Sequence, residues 1–448
     1  MKIAQQLIKP FTVFITRYYP DAFVFAILIT VLTFILSITL TDATATTALM
    51  SWGDGLPALL KFAAQLSLTL LAAHALAHTD VVHGLLERLG NIPKSASAAY
   101  ALVAFTAGVG SLIAWSLGLI VGVTLARHVA IHCANRGIKI HYPLLVASAY
   151  AGFVIWHMGY SSSAALFVAT PGHSLEAVMG VMPITETVFS LENGIIALIA
   201  LLAITIVCPL MHPDKKDIIE IRSELLKQES TLEPQQRNET VAQKLENMRA
   251  LSIAMGLALA AYMTASFAEK GFFLTLDIVN WSFVSAGLLL ARSPLHYMKL
   301  IQNAGATIGP IIIQYPFYAG ALGIMSGTGL VTVISDWFTS FSTAETLGLN
   351  AFLSAGLINM FIPSGGGQWA IQGPIFIEAA QALGVDHSII VMAVAYGDQW
   401  SNMIQPFWTI PLLAIAGLHL RQVMGYTVMI FLVTGIIFAT SLLILSSG

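Results

Sequence analysis

The stretch FIPSGGGQWAIQGP, Phe361 to Pro374, interrupts an apolar segment that runs from Thr346 to Leu383. Three consecutive glycines, a serine, two glutamines and two prolines are costly in a lipid-facing helix, where a freed backbone group finds no water. A second apolar segment, residues 97–131, is interrupted at its centre by AGVGSLIAWSLG, Ala107 to Gly118. Each segment is about twice as long as one membrane span. Both read as hairpins that enter a membrane, turn and leave on the side they came from.

Composition supports a lipid solvent. The 448 residues are 57% hydrophobic and 10% charged, against about 25% charged in soluble proteins. A net charge of −3 points to no nucleic-acid partner. Cys133 and Cys208 belong to no CxxC or Cys/His cluster and read as inert thiols, with no metal site or disulfide. Lys2, Lys9 and Arg17 precede the apolar run Ala22–Leu40, and Ala43-Thr44-Ala45 resembles a cleavage site. A signal peptide's apolar core is about 7–15 residues; this run of 19 is a membrane helix.

Spans are expected at residues 22–40, 56–78, 143–170, 190–210, 250–268, 273–291, 303–335, 387–418 and 424–445. With a cytoplasmic N-terminus, and hairpins that add no crossing, every lysine and arginine except Lys61 and Lys270 falls on the cytoplasmic side. Counting either hairpin as a single span would spoil that bias. The C-terminus is then periplasmic, and the hairpins enter from opposite faces.

The halves resemble each other. Gly110-Ser111-x-x-x-Trp115 matches Ser364-Gly365-x-x-x-Trp369, and Ala149-Tyr150 matches Ala395-Tyr396. Aligning Ser161 and Pro171 with Ser364 and Pro374 instead would set the first helix on the polar linker, so that pairing is rejected. The expected fold is an all-α polytopic membrane protein of two inverted-topology repeats, with two re-entrant hairpins and two broken helices. Its parts are first-repeat scaffold helices and an interfacial arm (1–96), the first hairpin and broken helix (97–170), a periplasmic loop and connecting helix (171–211), and a cytoplasmic linker, helical in part (212–249). Then come second-repeat scaffold helices and arm (250–345), the second hairpin and broken helix (346–419) and a C-terminal helix (420–448). The arms are the amphipathic stretches Asp80–Asn91 and Ser335–Leu347.

Four breaks should converge: the tips Gly108–Ser116 and Pro363–Trp369, and the broken helices around WHMGYSSS (Trp156–Ser163) and YGDQWSNMIQPFW (Tyr396–Trp408). Glycines turn the chain and expose backbone there. Half-helix N-termini supply N–H groups for an anion. No lysine or arginine lies between Lys299 and Arg421, or between Lys139 and Lys215. The expected substrate contacts are Ser111, Trp115, His157, Ser161, Ser162, Ser163, Ser364, Gly365, Gly366, Gly367, Gln368, Trp369 and Gln405. The expected cation contacts are Gly108, Gly110, Asn359, Ser364, Asp398, Ser401 and Asn402, with sodium at Gly110, Ser111, Ser364, Asp398 and Asn402.

Asp398 is the acidic residue placed well within a span. It could bind the coupling cation, carry a proton, or cap a half-helix. His157 and Ser161, at i and i+4, could instead be the base and nucleophile of an intramembrane hydrolase, but no orienting third group or oxyanion motif accompanies them. A polar cavity lining or helix packing fits better. His74 and His78 share a helix face without further ligands, which favours interhelical hydrogen bonding over a metal. Trp115 and Trp369 could gate or wall the site, or only pack.

MFIPSGGGQWAIQGP (Met360–Pro374), AVAYGDQWSNMIQPFW (Ala393–Trp408) and AYAGFVIWHMGYSSS (Ala149–Ser163) resemble the bacterial short-chain fatty acid transporter family, as do RYYPDAFVFAILIT (Arg17–Thr30), WGDG (Trp52–Gly55) and QYPFYAG (Gln314–Gly320). The resemblance covers nearly the whole chain. It implies uptake of short monocarboxylates such as acetoacetate or butyrate across the inner membrane. It also implies the ion transporter superfamily, with a homodimer in which a transport domain moves past a scaffold as an elevator. Three positions depart from the family pattern: Ala114 stands for an Asn, Gln368 for a His and Asp398 for a Glu. They put the acid and the coupling ion in question. The expected function is therefore symport of a short monocarboxylate with sodium or a proton and no resident cofactor. A carrier for dicarboxylates or aminoacyl conjugates is the alternative.

Overall fold

The computed structural model describes residues 17, 20–173, 175–221, 240–271, 276–305, 308–363 and 365–447. Ser364 and the linker residues 222–239 lie outside the described residues. No strand occurs among the described residues. Seven helical stretches there are long and apolar enough to cross a membrane, eight if one bent pair counts as a span. The chain is a multi-pass membrane protein.

One group of helices is α1 (Ala22–Leu40), α2 (Ala45–Gly55), α3 (Leu60–Ala77), α10 (Arg249–Lys270), α11 (Leu276–Leu290), α12 (Pro294–Ala304) and α13 (Gly309–Gly327). Small residues set its crossings. A Cβ on Gly55 of α2 would lie 2.8 Å from Gly323 Cα of α13, so a side chain there would force the helices apart. Polar pairs fix α3 on α11, where Asn280 Nδ2 donates to the Gln65 carbonyl at 2.9 Å.

The other group holds both hairpins and both broken helices. The first hairpin is α5 (Ala96–Ile113) and α6 (Trp115–Asn135), broken at Ala114 alone. The first broken helix is α7 (Tyr142–Ala151), a 3-10 turn (Gly152–Met158) and α8 (Ser163–Val168). The second hairpin is α15 (Leu347–Asn359) and α16 (Gly365–Leu383). The second broken helix is α17 (His387–Ser401), a 3-10 turn (Asn402–Ile404) and α18 (Thr409–Ala416). Helices α9 (Leu191–Leu210) and α19 (Leu420–Ser447) pack alongside. The two groups meet where Phe407 stacks on Tyr315 of α13 with ring centroids 4.1 Å apart and meets Tyr318 edge-on at 5.0 Å.

Several expectations change. The span at 56–78 joins a longer stretch that starts at Ala45. The run 303–335 is cut: α12 ends at Ala304, and α13 bends by 63° into α14 (Leu330–Ser340) at Gly329, whose φ of +73° suits only glycine without strain. The helix in the region expected as the second arm is α14, centred earlier than residues 335–347. The stretch expected as the first arm is helical as α4 (Asp80–Gly90). Arg292 clasps its first residue through Nη2 and Asp80 Oδ1, 2.7 Å apart. Each helix of the first hairpin is also long enough to be a span by itself, and this leaves the count of crossings even, as a re-entrant hairpin does.

A candidate substrate and cation site

The tips differ from expectation in one respect. None of Gly108, Gly110, Gly365, Gly366 and Gly367 has positive φ; all are helical. They permit close approach rather than a turn. Gly108 and Gly110 sit along the first hairpin, and a Cβ on Gly110 would lie 3.0 Å from Gly118 Cα. Ser111 is buried in that seam, where a Cβ on Gly118 would lie 2.6 Å from the Ser111 nitrogen. Gly110 and Ser111 pack the seam of the hairpin, with the Ser111 hydroxyl buried and without a partner among the described residues, whereas a Cβ on Gly108 would lie 2.5 Å from Leu201 Cδ1 of α9. Gly366 and Gly367 are half-buried in the first turn of α16.

The polar centre is built from α15, α16, the end of α17 and the two 3-10 breaks. Asn359 Nδ2 lies 2.9 Å from the Asp398 carbonyl, 2.9 Å from Ser401 Oγ and 2.7 Å from Asn402 Oδ1. Gln405 Nε2 donates to the Asn359 carbonyl at 2.8 Å. Tyr150 Oη of the first broken helix donates to the Asn402 carbonyl at 2.7 Å. Asp398, Asn359, Asn402, Ser401 and Gln405 are all essentially without solvent exposure.

A backbone carbonyl can only accept, so these contacts orient each amide. Nδ2 of Asn359 and Nε2 of Gln405 must face their carbonyls, and their oxygens face the other way. Asn359 Oδ1, Gln405 Oε1 and Asp398 Oδ2 are buried acceptors with no hydrogen-bond partner among the described residues. Each such group costs roughly 1–3 kcal/mol if it stays unpaired. The same logic makes Gln399 Nε2 an unpartnered donor, because its Oε1 accepts from the His157 N–H at 2.9 Å. The indole nitrogens of Trp156 and Trp369 are buried donors without partners too.

His157 ties the two broken helices together. Its Nδ1 donates to the Ala395 carbonyl at 3.0 Å, so in the neutral ring Nε2 accepts from Ser163 Oγ at 2.9 Å. The sequence pairing of His157 with Ser161 is thereby corrected. Ser161 Oγ accepts the Trp115 N–H at 2.9 Å and so holds the first hairpin's break against the first broken helix. Ser162 is fully buried with its hydroxyl unpartnered. Ser163, His157 and Asp398 have the residue types of a hydrolytic triad, but Nδ1 is committed to a carbonyl and stands 4.0 Å from the carboxylate. Gly365 opens α16 over this pair: a Cβ there would lie 2.5 Å from His157 Nε2 and 2.6 Å from Asp398 Oδ2. The first turn of α16 can lie on the site only because this residue has no side chain.

Gln368 carries a further buried acceptor, Oε1, with no hydrogen-bond partner among the described residues. Its Nε2 donates to the Ala355 carbonyl and to Gln372 Oε1, both at 2.9 Å, which zips α16 to α15. It shapes the hairpin. Trp369 is fully buried, and Trp115 meets Trp408 with ring centroids 5.0 Å apart. His78 Nδ1 lies 2.8 Å from the His74 carbonyl of its own helix. Among the described residues no group of three or more His, Cys, Asp or Glu could hold a metal ion. A cavity of about 280 Å³ lies away from this centre, lined by Glu186, Glu192 and Asp386 among others. Its acidic wall suits no carboxylate, and the buried network is the better candidate.

Sequence reading missed two parts of this site. Trp156 lies within a quoted motif, but no periodicity separates a donor aimed inward from one that packs. Tyr150 marked the repeat without signalling its bond to Asn402.

Comparison with known proteins agrees with a carrier. A chain of Escherichia coli (strain K12) with the provisional name of short-chain fatty acid transporter is 40% identical over 96% of this chain and 97% of its own. One of Haemophilus influenzae, named in the same way, is 37% identical over 96% and 97%. The crystal structure of the Alcanivorax borkumensis YdaH transporter is similar with a TM-score of 0.45 at 16% identity, covering 95% of this chain and 98% of that one. Neisseria gonorrhoeae MtrF, titled as one of a class of antimetabolite efflux pumps, scores 0.38 at 15% identity, covering 98% and 97%. At these scores neither likeness carries an argument about mechanism. The model of the family described as short chain fatty acid transporter matches residues 3–445, so the chain belongs to the short-chain fatty acid transporter family.

Proposed function

We propose that the protein imports short monocarboxylates, such as acetoacetate or butyrate, by symport with sodium or a proton. One observation carries the reading. Among the described residues, buried acceptors (Asn359 Oδ1, Asp398 Oδ2, Gln405 Oε1) and buried donors (Gln399 Nε2, Trp156 Nε1, Trp369 Nε1) without hydrogen-bond partners lie on the two broken helices and the second hairpin. Acceptors suit a cation, and donors suit a carboxylate. A co-bound cation offsets the anion's charge where no lysine or arginine is at hand. The relatives' names support the acid class.

The hairpins and broken helices would move together past α1–α3 and α10–α13, as an elevator in a homodimer of the bacterial inner membrane. The N-terminus would be cytoplasmic and the C-terminus periplasmic. The aromatic contact of Phe407 with Tyr315 and Tyr318 is the kind of apolar seam that can slide. No charged pair would have to break there. Carriage of a dicarboxylate or aminoacyl conjugate is the second reading, and Asp398, the one buried carboxylate among the described residues, weighs against a second substrate charge.

Purified protein in liposomes should accumulate labelled butyrate or acetoacetate down an imposed sodium or proton gradient, with dicarboxylates competing poorly. Absence of gradient-driven uptake for every short monocarboxylate would refute the proposal.

A further inference from the structure

The two broken helices exchange their chemistry. Their 3-10 turns end at Met158 and Ile404, 246 residues apart, and the helices that follow begin at Ser163 and Thr409 with the same spacing. At this spacing Gln399 and Asn402 of the second break fall on Phe153 and Trp156 of the first, while Phe407 and Trp408 fall on Ser161 and Ser162. Each of these pairs sets an aromatic ring in one half against a polar side chain in the other.

The rings meet. Trp408 lies edge-on to Trp115, at the break of the first hairpin, with centroids 5.0 Å apart; it is 5.3 Å from Phe153 and 6.4 Å from Trp156. Phe153 stacks on Trp156 at 5.8 Å. Three stretches of the chain thus build one aromatic wall. The wall borders the polar centre at His157, whose imidazole lies against the Trp156 ring with centroids 3.5 Å apart and whose Nδ1 stands 4.0 Å from Asp398 Oδ2.

Two features set the wall apart from ordinary core. Trp156 is 4% exposed, yet its indole N–H has no hydrogen-bond partner among the described residues, where a buried indole usually finds one. Trp115 is only half-buried, so the wall has an accessible edge at the hairpin's break. A ligand that suits both sides has a polar head and an apolar body. A straight-chain carboxylate has them in that order. Its carboxylate can take the bare donors of Gln399 and Trp156, which flank His157, and its alkyl chain can lie on the rings. Each methylene buried on such a surface is worth about fourfold in affinity, until the chain meets a ring.

We infer that Trp115, Phe153, Trp156 and Trp408 form the wall that receives the alkyl chain of the acid, and that the edge-on contact of Trp115 with Trp408 is the stop that limits its length. The inference rests on the carboxylate reading of this site and assigns its selectivity to named rings.

The test is a ladder of straight-chain acids from acetate to octanoate, read in two ways on the full chain. One is the rise in thermal midpoint in lipid nanodiscs, with n-alcohols of equal length as the control for partition into the bilayer. The other is competition against labelled butyrate uptake in liposomes. In the wild type, apparent affinity should climb about fourfold per methylene from acetate and then fall beyond the stop. Trp115→Leu and Trp408→Leu should move the peak to a longer acid, and Phe153→Leu should flatten the climb. Lost packing alone would weaken every acid by one factor and leave the peak in place. A peak that stays put in both tryptophan variants would overturn the inference. So would a wild-type series that is flat or that climbs without a fall, and this series decides if neither variant folds. If no acid is taken up under any gradient while the midpoint ladder holds, the transport reading fails and the wall stands. If uptake is driven but all the acids compete equally, the wall fails alone.

Discussion

The side-chain amide of Asn359 lies 2.9 Å from the backbone carbonyl of Asp398. Through this contact the last residue of α15 is tied to the C-terminal turn of α17, where the Asp398 carbonyl also accepts the Asn402 N–H. The same nitrogen reaches Ser401 Oγ and Asn402 Oδ1.

Asn359→Ala should therefore destabilise the fold as well as the site. It strips the donor from Asn402 Oδ1 and frees Gln405 and Ser401 to shift, at roughly 1–3 kcal/mol for a buried acceptor left unpaired. A drop of about 3 kcal/mol in unfolding free energy is expected from denaturant melts in detergent. A change below about 0.5 kcal/mol, the range of neutral surface substitutions, would mean that the tie contributes little.

How much of this was legible beforehand differs between stem and site. The hairpins and broken helices could be read because lipid makes polar and glycine-rich interruptions expensive, and α1 has the expected bounds of Ala22–Leu40. Asp398, Asn402, Ser401 and Asn359 were legible as a group because polar residues in an apolar run are conspicuous. The tips were placed too broadly. Glycine has two uses, left-handed turns and close packing, and the sequence around Gly108 and Gly365 does not tell them apart. Side-chain direction was not legible either: Gln368 and Gln405 look alike in sequence, yet one zips a hairpin and the other meets the network.

The neighbouring glycines Gly365 and Gly366 give a sharp contrast. A Cβ on Gly365 would collide with both His157 and Asp398, whereas one on Gly366 would lie 3.6 Å from Ser163 Cβ, an ordinary contact. Gly365→Ala should cut butyrate uptake at least about tenfold, because displacing reacting or binding groups by tenths of an ångström is costly. Gly366→Ala should keep most of it. Uptake rates normalised to protein in the membrane decide the matter, and equal losses in both variants would contradict the placement.

Acid should loosen the packing around His141. Burial holds His141 down to about 4, helped by the nearby His212 and opposed by Asp217, and burial lowers His212 as well. His141 Nδ1 accepts the Ile219 N–H at 3.0 Å, and Tyr100 Oη lies 2.9 Å from His212 Nδ1. The unfolded chain takes up these protons first, near pH ~6.5. The stabilisation is thus complete above that pH and is lost as pH falls toward about 4. For His141 alone it amounts to about 3 kcal/mol. Thermal midpoints should fall across this window, and His141→Gln should flatten the curve. A wild-type midpoint independent of pH across it would contradict the assignment.

The most direct test of the central claim is Asp398→Asn in liposomes, with sodium-driven net uptake of labelled butyrate measured beside butyrate–butyrate exchange. The amide keeps the shape and a carbonyl oxygen but removes the charge that holds the cation. The account predicts that sodium-driven net uptake collapses and that the remaining exchange no longer responds to sodium. Uptake with an unchanged sodium dependence in that variant would contradict it.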